Sequence, residues 1–179
     1  HPANGFYLHE FENLATTLRE LEAKQQPTLL FGVTFALLDF AEQFELPLRY
    51  TTILETGGMK GRREELTREE VHLQLKKSFG LPSIHSEYGM TELMSQAYSI
   101  GNGKYTLPDT MCVMLRDVND PYSWTERSQG GINIIDLANF HSCAFLETQD
   151  LGRYDDDGKL EILGRFDNSD VRGCNLMVN

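Results

Sequence analysis

The chain has 179 residues, 40% of them hydrophobic, which suits one compact domain or a large piece of a bigger one and excludes a disordered tail. A net charge of -11 disfavours nucleic acid and anionic membrane surfaces, though backbone amides and a few local cations still suffice for a small anionic ligand. Three scattered cysteines make no disulfide framework and point to a reducing, cytoplasmic setting, and no apolar run is long enough to span a membrane.

The first half reads as alternating helix and strand. Phe11, Leu14, Ala15, Leu18 and Leu21 recur at helical spacing with glutamates between them, which predicts an amphipathic helix ending before Pro27. Residues 28–33 read as a short buried strand. A second helix carries Phe35, Leu38, Ala41 and Phe44 and stops at Pro47, and residues 48–54 again read as strand. Thr67 and Glu70 form a capping box for a third helix, which Gly80 and Pro82 end. Residues 82–88 complete a strand–helix–strand–helix–strand order, which implies a parallel sheet with flanking helices.

The second half changes character. Residues 111–116, 132–136, 143–147 and 160–163 are short and strand-like, and Asp155-Asp156-Asp157-Gly158 reads as a hairpin turn. The expected fold is therefore α/β, a parallel sheet with flanking helices followed by a smaller antiparallel β-rich part. The expected organisation is an α/β layer over 1–100, a β-rich subdomain over 101–164 and a short stub over 165–179.

Chemistry-bearing residues gather after the strands. Glu55-Thr56-Gly57-Gly58-Met59-Lys60-Gly61 follows a strand, and its glycines let backbone approach a flat ligand; an ordinary strand-to-helix loop reads the same way. Ser86-Glu87-Tyr88-Gly89-Met90-Thr91-Glu92 lies at the C-terminal edge of a strand, where open α/β sheets bind ligands. A Tyr ring can stack on a purine, a Thr hydroxyl can donate to phosphate, and a carboxylate can hold Mg²⁺. Asp150, in Thr148-Gln149-Asp150-Leu151-Gly152, can accept from two ribose hydroxyls. Arg165, in Gly164-Arg165-Phe166-Asp167, can reach a ribose or a phosphate.

In this order the set resembles the adenylate-forming superfamily of acyl-CoA synthetases, luciferases and peptide-synthetase adenylation domains. Tyr88-Gly89-Met90-Thr91-Glu92 matches its Tyr-Gly-x-Thr-Glu motif, and Gly164-Arg165-Phe166-Asp167 its Gly-Arg-x-Asp motif. His85 to Leu93, Asp136-Leu137-Ala138-Asn139 and Gly164 to Leu176 resemble the acyl-protein synthetases of the LuxE type, relatives of phenylacetate–CoA ligase.

The resemblance implies a partial adenylate-forming N-terminal domain. Its reaction would be ATP-dependent activation of a carboxylic acid, fatty in the LuxE branch, as an acyl-adenylate. A thiol on a protein, a carrier or CoA would then take the acyl group. It places Tyr88 and Gly89 on adenine with the Gly57-Gly58 backbone, Thr91 on the α-phosphate, Glu92 on Mg²⁺, Asp150 on the ribose with Arg165 assisting, and Asp167 at a hinge. Thr91 and Glu92 are the catalytic candidates and ATP with Mg²⁺ the expected ligands. The family's phosphate loop and C-terminal domain lie outside the chain, so an incomplete part of the enzyme is expected, inactive alone. An acyl- or aryl-CoA ligase and a non-catalytic nucleotide-binding module stay open as alternatives. Truncation would expose sheet edge that a homo-oligomer could cover.

Other residues carry competing readings. Cys112, His141, Cys143 and Cys174 fit no standard zinc spacing, so packed cysteines are the simpler expectation. Cys174 is also an acyl-acceptor candidate, and His85 either lines an acyl pocket or is structural.

Overall fold

The structure is a computed structural model that describes residues 1–57, 66–120, 122–125 and 129–165. The chain divides into two compact units, one of residues 1–87 with 100–102, the other of 88–99 with residues from 103 onward.

The first unit is an α/β element whose three helices share one core with the sheet, while Leu29 and Phe31 of its first strand stay exposed. Helix α1 (Phe11–Ala23) buries Leu14, Ala15, Leu18 and Leu21, the stripe its spacing predicts. Strand β1 (Thr28–Val33) leads directly into α2 (Thr34–Gln43). Strand β2 (Thr51–Thr56) lies parallel to β1, with Thr28 opposite Thr51 and Val33 opposite Thr56. Helix α3 (Arg68–Phe79) starts from the expected capping box. Glu70 donates its backbone N–H to the Thr67 hydroxyl at 3.3 Å, while the Glu70 carboxylate accepts the Thr67 N–H at 2.8 Å. It ends on Gly80 in the left-handed conformation. Strand β3 (His85–Tyr88) then runs parallel to β2, with Glu55 beside Ser86 and Thr56 beside Glu87. The core joins Leu18, Leu38, Phe40, Ile53, Leu75, Phe79 and Ile84, with the Phe40 and Phe79 rings stacked 5.7 Å apart.

Strand boundaries in this unit differ from the sequence expectation, and β3 begins at His85 rather than at residue 82. Strand β2 begins at Thr51 rather than at residue 48. Leu46 and Leu48 are spent on the end of α3, donating to the carbonyls of Ser78 and Phe79 at 3.0 and 2.8 Å. The Glu22 carboxylate then takes the backbone N–H groups of Arg49 and Tyr50 at 2.8 and 3.0 Å and the Thr51 hydroxyl at 2.8 Å. A carboxylate from a distant helix thus replaces ladder partners, which no local pattern announces.

The second unit is antiparallel. Besides the short β4 (Ala97–Ser99), it contains β5 (Lys104–Tyr105), β6 (Met111–Arg116), β7 (Gln129–Asp136), β8 (Phe145–Tyr154) and β9 (Leu160–Arg165). The last five form a sheet in the order β5-β9-β8-β7-β6. A single helical turn of 3-10 type, Leu137–Asn139, follows β7. The hairpin joining β8 to β9 closes at the expected place, with Gly158 N–H donating to Asp155 at 2.9 Å. Strand β8 runs on past residue 147 because it bulges against β7. Gly131 faces Leu151 while Asn133 faces Glu147, so residues 148–150 stand out of register.

A buried arginine braces that bulge. Arg116 donates to the Ile132 carbonyl at 3.2 Å, to Asn133 Oδ1 at 2.8 Å and to the Thr148 carbonyl at 2.8 Å. Its Nε lies 3.3 Å from a Glu147 carboxylate oxygen. The guanidinium lies against Gly131, where a Cβ would sit 2.5 Å from Arg116 Cζ. Gly131→Ala must therefore displace a side chain tied at both ends. It is expected to cost about 1–3 kcal/mol, read as a lower urea midpoint, because overpacking displaces groups that have nowhere to relax. An unchanged midpoint would show that Arg116 is not held as described.

Candidate functional site

The bulge sets the position of Asp150. The Asp150 N–H donates to Thr148 Oγ1 at 3.1 Å, and that hydroxyl donates to the Ile132 carbonyl at 2.9 Å. The Asp150 side chain meets two of the residues singled out in the sequence. The Tyr88 phenol donates to Asp150 Oδ2 at 2.7 Å. Register does the rest, since β9 places Arg165 opposite Asp150, with Arg165 Nε 3.7 Å from Oδ1. Arg165 also donates to Gln149 Oε1 at 3.3 Å, and its side chain is 60% exposed. Tyr88 and Asp150, 62 positions apart in sequence, thus meet directly, and Arg165 shares the same carboxylate.

Tyr88 is 8% exposed, and its ring meets Tyr105 edge-on at 6.2 Å. Burial, reinforced by the neighbouring Asp150 carboxylate, pushes the phenol far above its usual range. Tyr88 consequently remains a proton donor to Asp150 throughout the working pH range. The cluster presents a held carboxylate with an exposed cation beside it, an arrangement able to take a polyhydroxylated, negatively charged ligand.

Thr91 and Glu92 sit together nearby in sequence, at the centre of a turn closed by the Leu93 N–H on the Met90 carbonyl at 3.0 Å. Both side chains are exposed. Among the described residues the Glu92 carboxylate makes no hydrogen bond or ion pair. One such carboxylate beside ligand phosphates fits Mg²⁺, which keeps its waters and takes few protein ligands. Among the described residues no group of three or more His, Cys, Asp or Glu could by itself hold a metal ion.

The exit of this turn is gripped by residues to which the sequence assigned no role. Asp136, fully buried, accepts the N–H groups of Met94, Ser95 and Ala138 at 2.8, 3.0 and 3.1 Å and the Ser95 hydroxyl at 2.7 Å. Burial pushes the Asp136 carboxyl up, but these donors outweigh it and hold it below the usual carboxylate range. Asn139 Nδ2 donates to the carbonyls of Glu92 and Cys143 at 2.7 and 2.9 Å. A buried Asp at a strand end followed by Asn three residues on was the available signal.

In the first unit, Gly57 follows β2 with φ 72°. Its carbonyl accepts from Thr34 Oγ1 at 3.1 Å, as does that of Thr56 at 3.2 Å. The same hydroxyl lies 2.6 Å from Glu55 Oε2. Glu55 is 4% exposed, with His72 Nε2 at 3.6 Å and Arg68 Nε at 3.7 Å from Oε1, and His72 Nε2 is 3.1 Å from Ser86 Oγ. Burial pushes its carboxyl up, and the His72, Ser86 and Thr34 hydrogen bonds with the Arg68 charge more than reverse this, so it is ionised well into acid. In the sequence Glu55 stands only as the first residue of the glycine motif, and nothing local announces its partners Thr34, Arg68 and His72. Gly58, Asp167 and Cys174 lie outside the described residues. His85 is partly buried on β3, and Cys112 and Cys143 are free and exposed. No helix among the described residues is long and apolar enough to cross a membrane.

The chain matches no family model and no curated protein. Solved structures do match it. ATP-bound MatB from Rhodopseudomonas palustris is 19% identical with a TM-score of 0.61, over 84% of this chain and 33% of that one. Coronafacic acid ligase from Pectobacterium brasiliense is 21% identical with a TM-score of 0.59, over 87% and 32%. The O-succinylbenzoate coenzyme A synthetase MenE from Bacillus subtilis, in complex with ATP and magnesium ion, is 20% identical with a TM-score of 0.57, over 85% and 34%. The likeness is one of fold. The chain shares the fold of part of these proteins, and it spans about a third of their length.

Proposed function

We propose that the chain is the nucleotide-binding part of an enzyme that activates a carboxylic acid with ATP and passes the acyl group to a thiol. The observation that carries this reading is the Tyr88–Asp150–Arg165 cluster, built on the β8 bulge from three residues of the motifs that suggested the activity. Asp150 takes the ribose hydroxyls, with Tyr88 fixing its carboxylate and Arg165 assisting from the exposed side. The Tyr88 ring and Gly89 serve the adenine.

In the first half-reaction a substrate carboxylate oxygen attacks the α-phosphorus, forming the acyl-phosphate anhydride and releasing pyrophosphate. Thr91 donates its hydroxyl to an α-phosphate oxygen. Glu92 would hold Mg²⁺, which would supply charge neutralisation at the phosphates. In the second half-reaction a thiol attacks the acyl carbonyl and AMP leaves. The protein contributes positioning and preorganised charge rather than a covalent step of its own. Asp167 serves as hinge for the domain movement between the two.

The wording of His85 to Leu93 and Asp136 to Asn139 favours the LuxE branch, hence a fatty acid and a protein or carrier thiol. The coenzyme A synthetase among the structural matches supports CoA as the other acceptor. The free cysteines accord with a cytoplasmic setting. The test is ATP–pyrophosphate exchange by the full-length gene product with a panel of fatty and aromatic acids. Exchange should depend on the acid and fall about 100-fold or more in Glu92→Gln, as loss of a preorganised charge at the reacting phosphate requires. ATP binding without exchange for any acid would instead make the chain a regulatory nucleotide-binding module.

A further inference from the structure

Glu92 has an unusual combination of features: its carboxylate is exposed and without a partner among the described residues, while its backbone is held from behind. Asn139 supplies the hold. It is 8% exposed, and its amide nitrogen bridges the carbonyls of Glu92 and Cys143. Asp136 fixes Met94 and Ser95 through their N–H groups. The clamp is in turn tied to the start of β6. Ser95 Oγ lies 2.7 Å from Thr110 Oγ1, and the Leu137 N–H donates to the Thr110 carbonyl at 2.8 Å. Three of the four residues from Glu92 to Ser95 are thus anchored by four hydrogen bonds to one acid–amide pair spaced three residues apart.

We infer that Asn139 is a positioning residue for the divalent cation, acting through Glu92. The inference rests on the reading of Glu92 as the Mg²⁺ carboxylate and adds what sets its geometry. A turn whose central side chains face solvent has no packing of its own to fix them. A Glu side chain can present its carboxylate reproducibly only if its backbone is fixed, and here the fixing group is the Asn139 amide. Groups that orient a metal ligand from the next layer out typically change metal affinity by about 10–100-fold when removed. Asn139→Leu keeps the approximate volume and deletes the donor. Asn139→Asp keeps the shape and turns an oxygen toward two carbonyls.

The experiment measures ATP affinity of the full-length gene product by calorimetric titration, with Mg²⁺ and with EDTA, for wild type and both variants. The expected result is MgATP binding weaker by about tenfold in each variant with Mg²⁺-free ATP binding unchanged. Equal weakening with and without Mg²⁺ would mean a structural role only, and no weakening in either condition would mean no role; both overturn the inference. Wild-type acid-dependent exchange, measured alongside, separates the two levels. If it is present while Asn139→Leu and Asn139→Asp bind MgATP normally, only the inference falls. If wild type shows no exchange and no Mg²⁺-dependent ATP binding, the underlying reading falls and takes the inference with it.

Discussion

Asp150→Ala is expected to weaken ATP binding about 100-fold, because charge-assisted hydrogen bonds are worth about 1.5–3 kcal/mol each and 1.4 kcal/mol is tenfold. The loss has two parts. The ribose hydroxyls lose their acceptor, and the Tyr88 phenol, 2.7 Å from Asp150 Oδ2 in the wild type, becomes a buried donor without that partner. Arg165 keeps its bond to Gln149 and stays near the site. Tyr88→Phe removes the donor but leaves the carboxylate, so a smaller loss of about tenfold is expected from one hydrogen bond. Titration of both variants with ATP checks the order. Equal affinities for wild type and Asp150→Ala would remove Asp150 from the nucleotide site.

The second large effect belongs to the first unit and concerns stability. Glu55→Ala is expected to cost about 3–5 kcal/mol, the range for deleting one partner of a buried charged network. The deletion leaves the Thr34 hydroxyl, His72 and Arg68 facing the space that Glu55 Oε1 and Oε2 filled. Because Thr34 also binds the Thr56 and Gly57 carbonyls, the end of β2 should loosen as well. Urea unfolding reads the first effect, and an unchanged midpoint would contradict it. The pH dependence follows from the same network. The folded-state pKa of Glu55 is lowered, so its stabilisation is full above the ordinary glutamate range and is lost as pH falls through the folded value. Asp136 and Asp155 are lowered as well and act in the same direction. Wild-type stability should therefore fall on acidification below the ordinary carboxylate range, and Glu55→Gln should fall less steeply there.

Much of the secondary structure was legible because its causes are local. The Thr67–Glu70 capping box, the Gly80 stop, the apolar stripe of α1 and the Asp155–Gly158 turn each depend on residues within a few positions of one another. The parallel-then-antiparallel division followed from the change in spacing along the chain. What escaped is long-range. Nothing near residue 48 reveals that Glu22 will occupy the N–H groups of Arg49 and Tyr50 and delay β2 to Thr51. Arg116 reads as an ordinary strand-end arginine until Gly131 makes room for its guanidinium under the bulge. Within the site, Asp150 and Arg165 stand in separate motifs, and the β8–β9 register that pairs them appears only in the sheet. Asp136 and Asn139 were noticed as wording, while their work on the Glu92 turn depends on hydrogen bonds spanning more than forty positions.

A crystal structure of the full-length gene product with ATP and Mg²⁺ tests the assignment of the site most directly. The account predicts ribose hydroxyls within hydrogen-bond distance of the Asp150 carboxylate and a Mg²⁺ ion bound through Glu92 and phosphate oxygens. A nucleotide bound elsewhere on the protein, with Asp150 and Glu92 touching neither ribose nor metal, would contradict it.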